Sequence, residues 1–344
     1  MTTAARITIH PSQFPENVRC DLLASLRTRR VNHKFHYDSI KQAQKWLALH
    51  ETQSPARRDA DCRATYDRAF VETAGKIKSK SIHVIGLGCG GGQKDSRLLK
   101  LLQARGKKIS YTPCDVSPAM VLVARQAALK ILPDKNCFPF VCDLATADDL
   151  SATLVTRHPS LITFFGMIPN FEPQLILPRL AALVRPKDFL LFSANLAPGN
   201  DYAAGMKKIL PQYDNPLTRD WLTAFLFDLG VEKRDGELRF KIETVSKFGL
   251  SRVRADFHFR RAAPIVIENK TFAFHAGESI RLFFSYRYTP GRVQKILARH
   301  GLKVCGSWIT RSQEEGVFLC RKKPARGAVP AAVRSGTGVS PVRF

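Results

Sequence analysis

The stretch with the clearest chemical content is Gly86-Leu87-Gly88-Cys89-Gly90-Gly91-Gly92. It follows a short apolar run at residues 82–87 and precedes a leucine-rich segment of helical spacing at 94–103. Glycines at a strand-to-helix turn let the backbone bend sharply and come close to a ligand. A dinucleotide, a phosphate or an adenosyl group would each suit such a loop, although the Gly-Lys-Ser/Thr ending of a phosphate-binding loop is missing. Asp115 closes the next strand candidate, 109–114, and Asp143 closes a third, 138–142. Residues that follow successive parallel strands converge on one crevice at the carboxyl edge of the sheet. There Asp115 can accept both hydroxyls of a ribose, and the backbone amide near Leu144, beside Asp143, can read an adenine edge. Singly, each aspartate also reads as a helix N-cap. The three features in register favour a nucleoside.

These residues need a sheet to hold them in place. Further strand candidates at 161–165 and 189–194 alternate with helical segments, which implies an α/β fold with a parallel sheet covered on both faces. After a helix at 290–300, strand candidates at 303–310 and 316–320 match the reversed hairpin edge of a class I methyltransferase sheet, a Rossmann-like, seven-stranded, mostly parallel arrangement. That edge, and a crevice with no hydride-transfer partner, favour S-adenosylmethionine over NAD as cofactor. Residues 1–20 read as irregular, and about 21–75 as mostly helical. Candidates at 238–244, 251–259, 265–267 and 280–288 suggest an antiparallel meander. The expected organisation is a helical part of a substrate lobe at 1–76, a cofactor-binding domain at 77–199 and 289–323, an inserted antiparallel substrate lobe at 200–288, and a disordered tail at 324–344.

Composition sets outer bounds. The 344 residues are 44% hydrophobic and 24% charged, which excludes a wholly disordered, collagen-like or coiled-coil chain. No apolar run approaches the roughly 18 to 20 residues of a membrane-spanning helix. The start has no long apolar core or cleavage pattern, so no signal peptide is expected. The eight cysteines form no Cys-x-x-Cys pair and several sit in apolar runs. They read as reduced thiols in a cytoplasmic protein, with neither a zinc site nor a disulfide framework. The net charge of +25 is carried by short basic pairs such as Arg29-Arg30 and Arg260-Arg261. It admits a polyanion as partner, yet the aromatics lie within apolar runs and form no base-stacking platform.

The order and spacing of several stretches resemble the ergothioneine-pathway histidine Nα-methyltransferases, the histidine-specific S-adenosylmethionine-dependent family. The stretches are Lys34-Phe35-His36-Tyr37-Asp38, Gly88 to Lys94, Tyr111 to Ser117, Phe165-Gly166-Met167-Ile168-Pro169-Asn170, Tyr213-Asp214-Asn215, and residues 281–288. The resemblance spans about residues 33–321. It implies cofactor contacts at Gly88, Gly90, Lys94, Asp115, Asp143 and Leu144. It also implies that Tyr37, Asn170 and Tyr213 hold the amine and carboxylate of an amino acid, with Tyr37 and Asn170 aiming the nitrogen. In the family a Tyr, a Glu and a Ser read the imidazole; here Ser54, Phe283 and Ser285 stand at those positions. A benzyl group in place of a carboxylate removes a charge-assisted hydrogen bond worth about 1.5–3 kcal/mol. The implied acceptor is therefore a small amine or amino acid with a flatter, more apolar side chain than histidine. Gly86 also departs, since the family has an acid there. The expected enzyme is a monomeric N-methyltransferase without a metal. Two other readings stand beside it. The charge carries a nucleic-acid methyltransferase, against which Ile168-Pro169-Asn170 stands where a Pro-Pro-Tyr-like clamp would follow the fourth strand. The altered pocket carries a non-catalytic cofactor-binding homologue.

Overall fold

A computed structural model describes residues 4–54, 58–154 and 156–323. The strands in chain order are β1 Thr8–Ile9, β2 Ser81–Leu87, β3 Lys108–Asp115, β4 Phe140–Val141, β5 Ser160–Phe164, β6 Phe189–Asn195, β7 Gly236–Val245, β8 Leu250–Phe259, β9 Ala263–Ile267, β10 Lys270–Phe274, β11 Ser279–Arg287, β12 Leu302–Ile309 and β13 Glu315–Lys322. The helices are α1 Pro15–Thr28, α2 Ile40–Gln53, α3 Ala60–Lys76, α4 Gln93–Ala104, α5 Pro118–Leu129, α6 Leu150–Thr153, α7 Pro173–Leu183, α8 Tyr202–Ile209, α9 Pro216–Asp228 and α10 Pro290–Arg299.

Eight strands make one sheet in the order β1-β4-β3-β2-β5-β6-β13-β12. The strands β4, β3, β2, β5 and β6 run parallel, while β13 inserts antiparallel between β6 and β12. Without β1 this is the class I methyltransferase sheet. The eighth strand comes from a segment whose sequence reads as irregular: Thr8 and Ile9 pair parallel with Phe140 and Val141. Two residues are too few for any periodicity to register.

Both faces of the sheet are buried, as the apolar runs require. Ile85, Ile162, Leu190 and Phe318 point to one face, where α7 and α10 cover them. Their neighbours Val84, Leu161, Leu191 and Leu319 point to the other, against α3 and α4. Thus α3 sits on the main sheet through Cys62, Tyr66, Ala69 and Phe70. The helix α7 carries Pro178 in its interior, which hides it from a propensity reading. A second body of packing joins α1, α2 and α9 to two small sheets, β11-β8-β7 and the hairpin β9-β10. The strand β10 escapes the sequence reading because only Phe274 in it is buried. The expected tail at 324–344 lies outside the described residues.

Two fully enclosed histidines have a cost that depends on pH. His36 donates from Nε2 to the Leu282 carbonyl (2.7 Å), and His83 lies between the hydroxyls of Ser110 and Thr112 (2.6 and 3.0 Å). Burial lowers each to about 4. The unfolded chain takes up protons below its ordinary value of about 6.5, and the native state does not until about 4, so stability falls as pH falls through that window. From about pH 7.5 to about pH 5.5, each should withdraw roughly 1 kcal/mol of unfolding free energy. Urea titrations at the two pH values should show a smaller loss in His36→Gln by about that amount; an unchanged pH dependence would refute the assignment.

Candidate active site

A cavity of about 970 Å³ opens at the carboxyl edge of the main sheet. Its floor comes from the ends of β2, β3 and β4, and its roof from α2 and β11. This is near the upper end of small-molecule pockets, roughly 300–1,000 Å³, and gives space for two reactants side by side. Gly88, Gly90, Lys94, Asp115, Asp143 and Leu144 all line it, and so do Tyr37 and Asn170.

The loop after β2 is held to the end of β3. The Gly90 N–H donates to Asp115 Oδ2 (2.9 Å) and the Ser117 N–H to Asp115 Oδ1 (3.1 Å). The carboxylate still keeps a lone pair for a ligand hydroxyl. Burial pushes the Asp115 carboxyl up, and the N–H groups of Ser117, Gly90 and Val116 oppose that rise. Gly88 has a positive φ of 58°, and a Cβ there would stand 2.6 Å from Met167 Cγ. Gly92 caps α4 with no side-chain hydrogen bond, so the first-turn N–H groups of that helix remain available to an anion. Lys94, in that turn, donates to the Tyr66 hydroxyl (2.8 Å) and lies 4.0 Å from Glu315, which fixes its ammonium at the cavity wall.

Asp143 has one oxygen engaged and one not. Its Oδ1 accepts the Ala145 N–H (2.8 Å), and its own N–H donates to Ser12 Oγ (3.0 Å). Oδ2 is buried with no hydrogen-bond partner among the described residues; the buried Lys34 ammonium is 3.9 Å away. Burial pushes this carboxyl up, with the Ala145 N–H and Lys34 pulling it back. A buried acceptor left open costs free energy until a donor meets it, and an adenine amino group would be such a donor.

A buried acid stands beside Gly86. A Cβ on Gly86 would stand 2.2 Å from Asp95 Oδ2, so the bare backbone makes space for that carboxylate. Asp95 projects from the first turn of α4, accepts from Tyr111 (2.7 Å) and Thr163 (2.8 Å), and lines the cavity. Burial pushes it up against those two hydroxyl donors. The sequence reading overlooks Asp95; the signal was an acid just inside the helix that follows the glycines, paired with the absence of one at Gly86.

At the other end, Tyr37 packs its ring against Trp46 and Trp221. Burial and nearby Asp115 push its phenol well up, so it stays protonated. Asn170 ends a short 3-10 turn, Ile168–Asn170. Among the described residues, neither the Tyr37 hydroxyl nor the Asn170 amide is hydrogen-bonded to a protein group.

Four expected residues do not line the cavity: Ser54, Tyr213, Phe283 and Ser285. Ser54 caps the carboxyl end of α2. Tyr213 donates to Ser285 (2.9 Å) and receives Arg287 Nε (3.1 Å), a polar cluster away from the lining. The displacement of Phe283 has a local cause. A bulge between Arg281 and Phe283 shifts the register of β11, and one extra residue inverts the alternation of sides beyond it. Phe284 and Arg281 consequently reach the cavity, while Phe283 packs into the small-sheet core with Trp221.

Comparison with known proteins places the chain in a family. The family model for histidine-specific, SAM-dependent methyltransferases matches residues 21–322. The chain is 25% identical over 276 residues to N-methyltransferase imqF of Aspergillus flavus, covering 77% of this chain and 72% of that protein. It is 24% identical over 252 residues to N-methyltransferase fsqC of Aspergillus fumigatus, covering 69% and 66%. A search of solved structures returns magnesium protoporphyrin IX methyltransferase from Synechocystis, with a TM-score of 0.48 and 14% identity over 85% of this chain and 98% of that one. With its cofactor loop, its sheet order and nearly its whole described length within the match, this chain belongs to the histidine-specific, S-adenosylmethionine-dependent methyltransferase family.

Proposed function

We propose that the enzyme methylates the amino nitrogen of a small amine or amino acid whose side chain is more apolar than histidine's. The observation that carries this is the pair of unengaged polar groups, the Tyr37 hydroxyl and the Asn170 amide, on the wall of the same cavity as the glycine loop. A hydroxyl and an amide orient an amino group without bringing a charge that competes with a sulfonium. The apolar preference draws on Phe284, Met167, Phe171 and Leu175 in the lining; Glu172 stands among them, but its carboxylate is held by Arg252 and the Tyr286 hydroxyl. In this reading, segments 1–76 and 200–288 supply the acceptor's side of the cavity.

The cofactor's residues follow from the same geometry. Asp115 takes the ribose hydroxyls, Asp143 Oδ2 and the Leu144 N–H take the adenine, and Gly88 and Gly90 let the backbone approach. Lys94 and the α4 N-terminus favour the cofactor's carboxylate. Asp95 balances its positive end. S-adenosylmethionine, when bound, supplies a methyl group on a sulfonium that a neutral amine can attack in line. The protein's task is then to hold the nitrogen lone pair facing that carbon, and a near-attack geometry can lower the barrier by several kcal/mol. Tyr37 remains a donor throughout the working pH range, so it accepts no proton from the amine; water takes it.

Three outcomes test this. Asp115→Ala should weaken S-adenosylhomocysteine binding by at least about tenfold in calorimetry, since a charge-assisted hydrogen bond contributes about 1.5–3 kcal/mol; unchanged affinity would remove Asp115 from the cofactor site. Asn170→Ala should keep that affinity and lower kcat/KM for the acceptor by about tenfold or more. A mass-spectrometric screen of amino acids and biogenic amines should return N-methylated products with apolar side chains. Trimethylated histidine as the dominant product would overturn the specificity reading.

A further inference from the structure

The acceptor end of the cavity holds more positive charge than the protein neutralises. Arg252 is paired with Glu172 (2.7 Å) and Glu243 (2.5 Å). Arg254 is paired with Glu243 (2.9 Å) and Asp256 (2.7 Å), and Lys241 with Asp256 (3.1 Å). Those three carboxylates are thereby spent, Glu172 on the Tyr286 hydroxyl as well (2.7 Å). Two cavity-lining guanidinium groups are left over, Arg281 and Arg30. Neither has a hydrogen bond or ion pair among the described residues. They are neighbours by backbone pairing, because the Val31 N–H donates to the Arg281 carbonyl (2.8 Å) and the Arg281 N–H to the Arg29 carbonyl (2.9 Å).

We infer that Arg281, supported by Arg30, binds a carboxylate of the methyl acceptor, beside an apolar body that rests against Phe284. A guanidinium is a planar fork that meets a carboxylate with two parallel hydrogen bonds; the acid whose charge reaches Arg281, Glu172, is itself held by Arg252 and Tyr286. The Phe284 ring lies 5.0 Å from the Arg281 guanidinium, so the anion contact and the apolar contact are adjacent. Arg281 is half-buried; burial and the repulsion of Arg252 and Arg30 hold it down at about 10, a penalty that an arriving anion relieves. The contact also accounts for what the Tyr213 placement leaves undone. With that hydroxyl committed to Ser285 and Arg287, the acceptor's carboxylate needs another holder, and Arg281 is on the lining where Tyr213 is not.

This rests on the amine-methylation reading, so the probe carries no amine. With S-adenosylhomocysteine present, 3-phenylpropionate and 3-phenylpropionamide are titrated calorimetrically into the full-length protein. The acid should bind at least tenfold more tightly than the amide. Arg281→Gln should erase that preference, and Arg281→Lys should keep only part of it, while S-adenosylhomocysteine affinity stays at the native level in both as evidence of folding. No preference for the acid in the native protein, or an undiminished preference in Arg281→Gln, overturns the proposal. A negative amine screen leaves this difference in place, so failure of the two readings can be told apart.

Discussion

The site depends on the hydrogen bond from the Gly90 N–H to the Asp115 carboxylate. It joins the loop after β2 to the end of β3, and so fixes how far the glycine backbone stands from the group that would take a ribose. Both ends are constrained. The loop passes Met167 only because Gly88 has no side chain, and Asp115 is kept ionisable inside the protein by backbone N–H groups alone. The rest of the cavity is arranged around that tie: Asp143 one strand over, Asp95 behind Gly86, and Tyr37 above Asp115.

Much of this was legible in the sequence, because the nucleotide half of the site is built from strand ends. An apolar run that stops at glycine or aspartate states both the strand and the residue at its carboxyl edge, and parallel topology converges such residues without further information. The acceptor half is built differently. Its residues project from the sides of strands and helices, where one residue of register decides which group faces the cavity. The bulge in β11 exchanges Phe283 for Phe284 and has no marker in the local sequence. Asp95 is hidden for another reason. Its place on the lining follows from the space that Gly86 leaves and Asp95 fills, a relation visible only when the two are packed together. Tyr213 and Ser285 do meet each other, as residues read into one pocket should, but neither is on the lining.

The charge excess is read better locally than globally. A total of +25 suggests a polyanion, yet the basic residues of the β7-β8 sheet are largely consumed by Glu172, Glu243 and Asp256. Among the described residues, two guanidinium groups on the lining, Arg281 and Arg30, remain without an ion pair. That is a recognition element on the scale of one small molecule, in a cavity whose lining also carries the acidic side chains Asp95, Asp115 and Asp143.

The antiparallel insertion of β13 has a consequence for biosynthesis. Strand β6 leaves the ribosome with one side unpaired, and its partner is encoded more than a hundred residues later, at Glu315–Lys322. Throughout that interval a nascent chain exposes the open edge of Leu190, Leu191 and Phe192, which offers a template for intermolecular pairing. Closure of the sheet therefore waits until residues 315–322 have been made, and a chain that lacks them keeps that edge open to pairing with another chain.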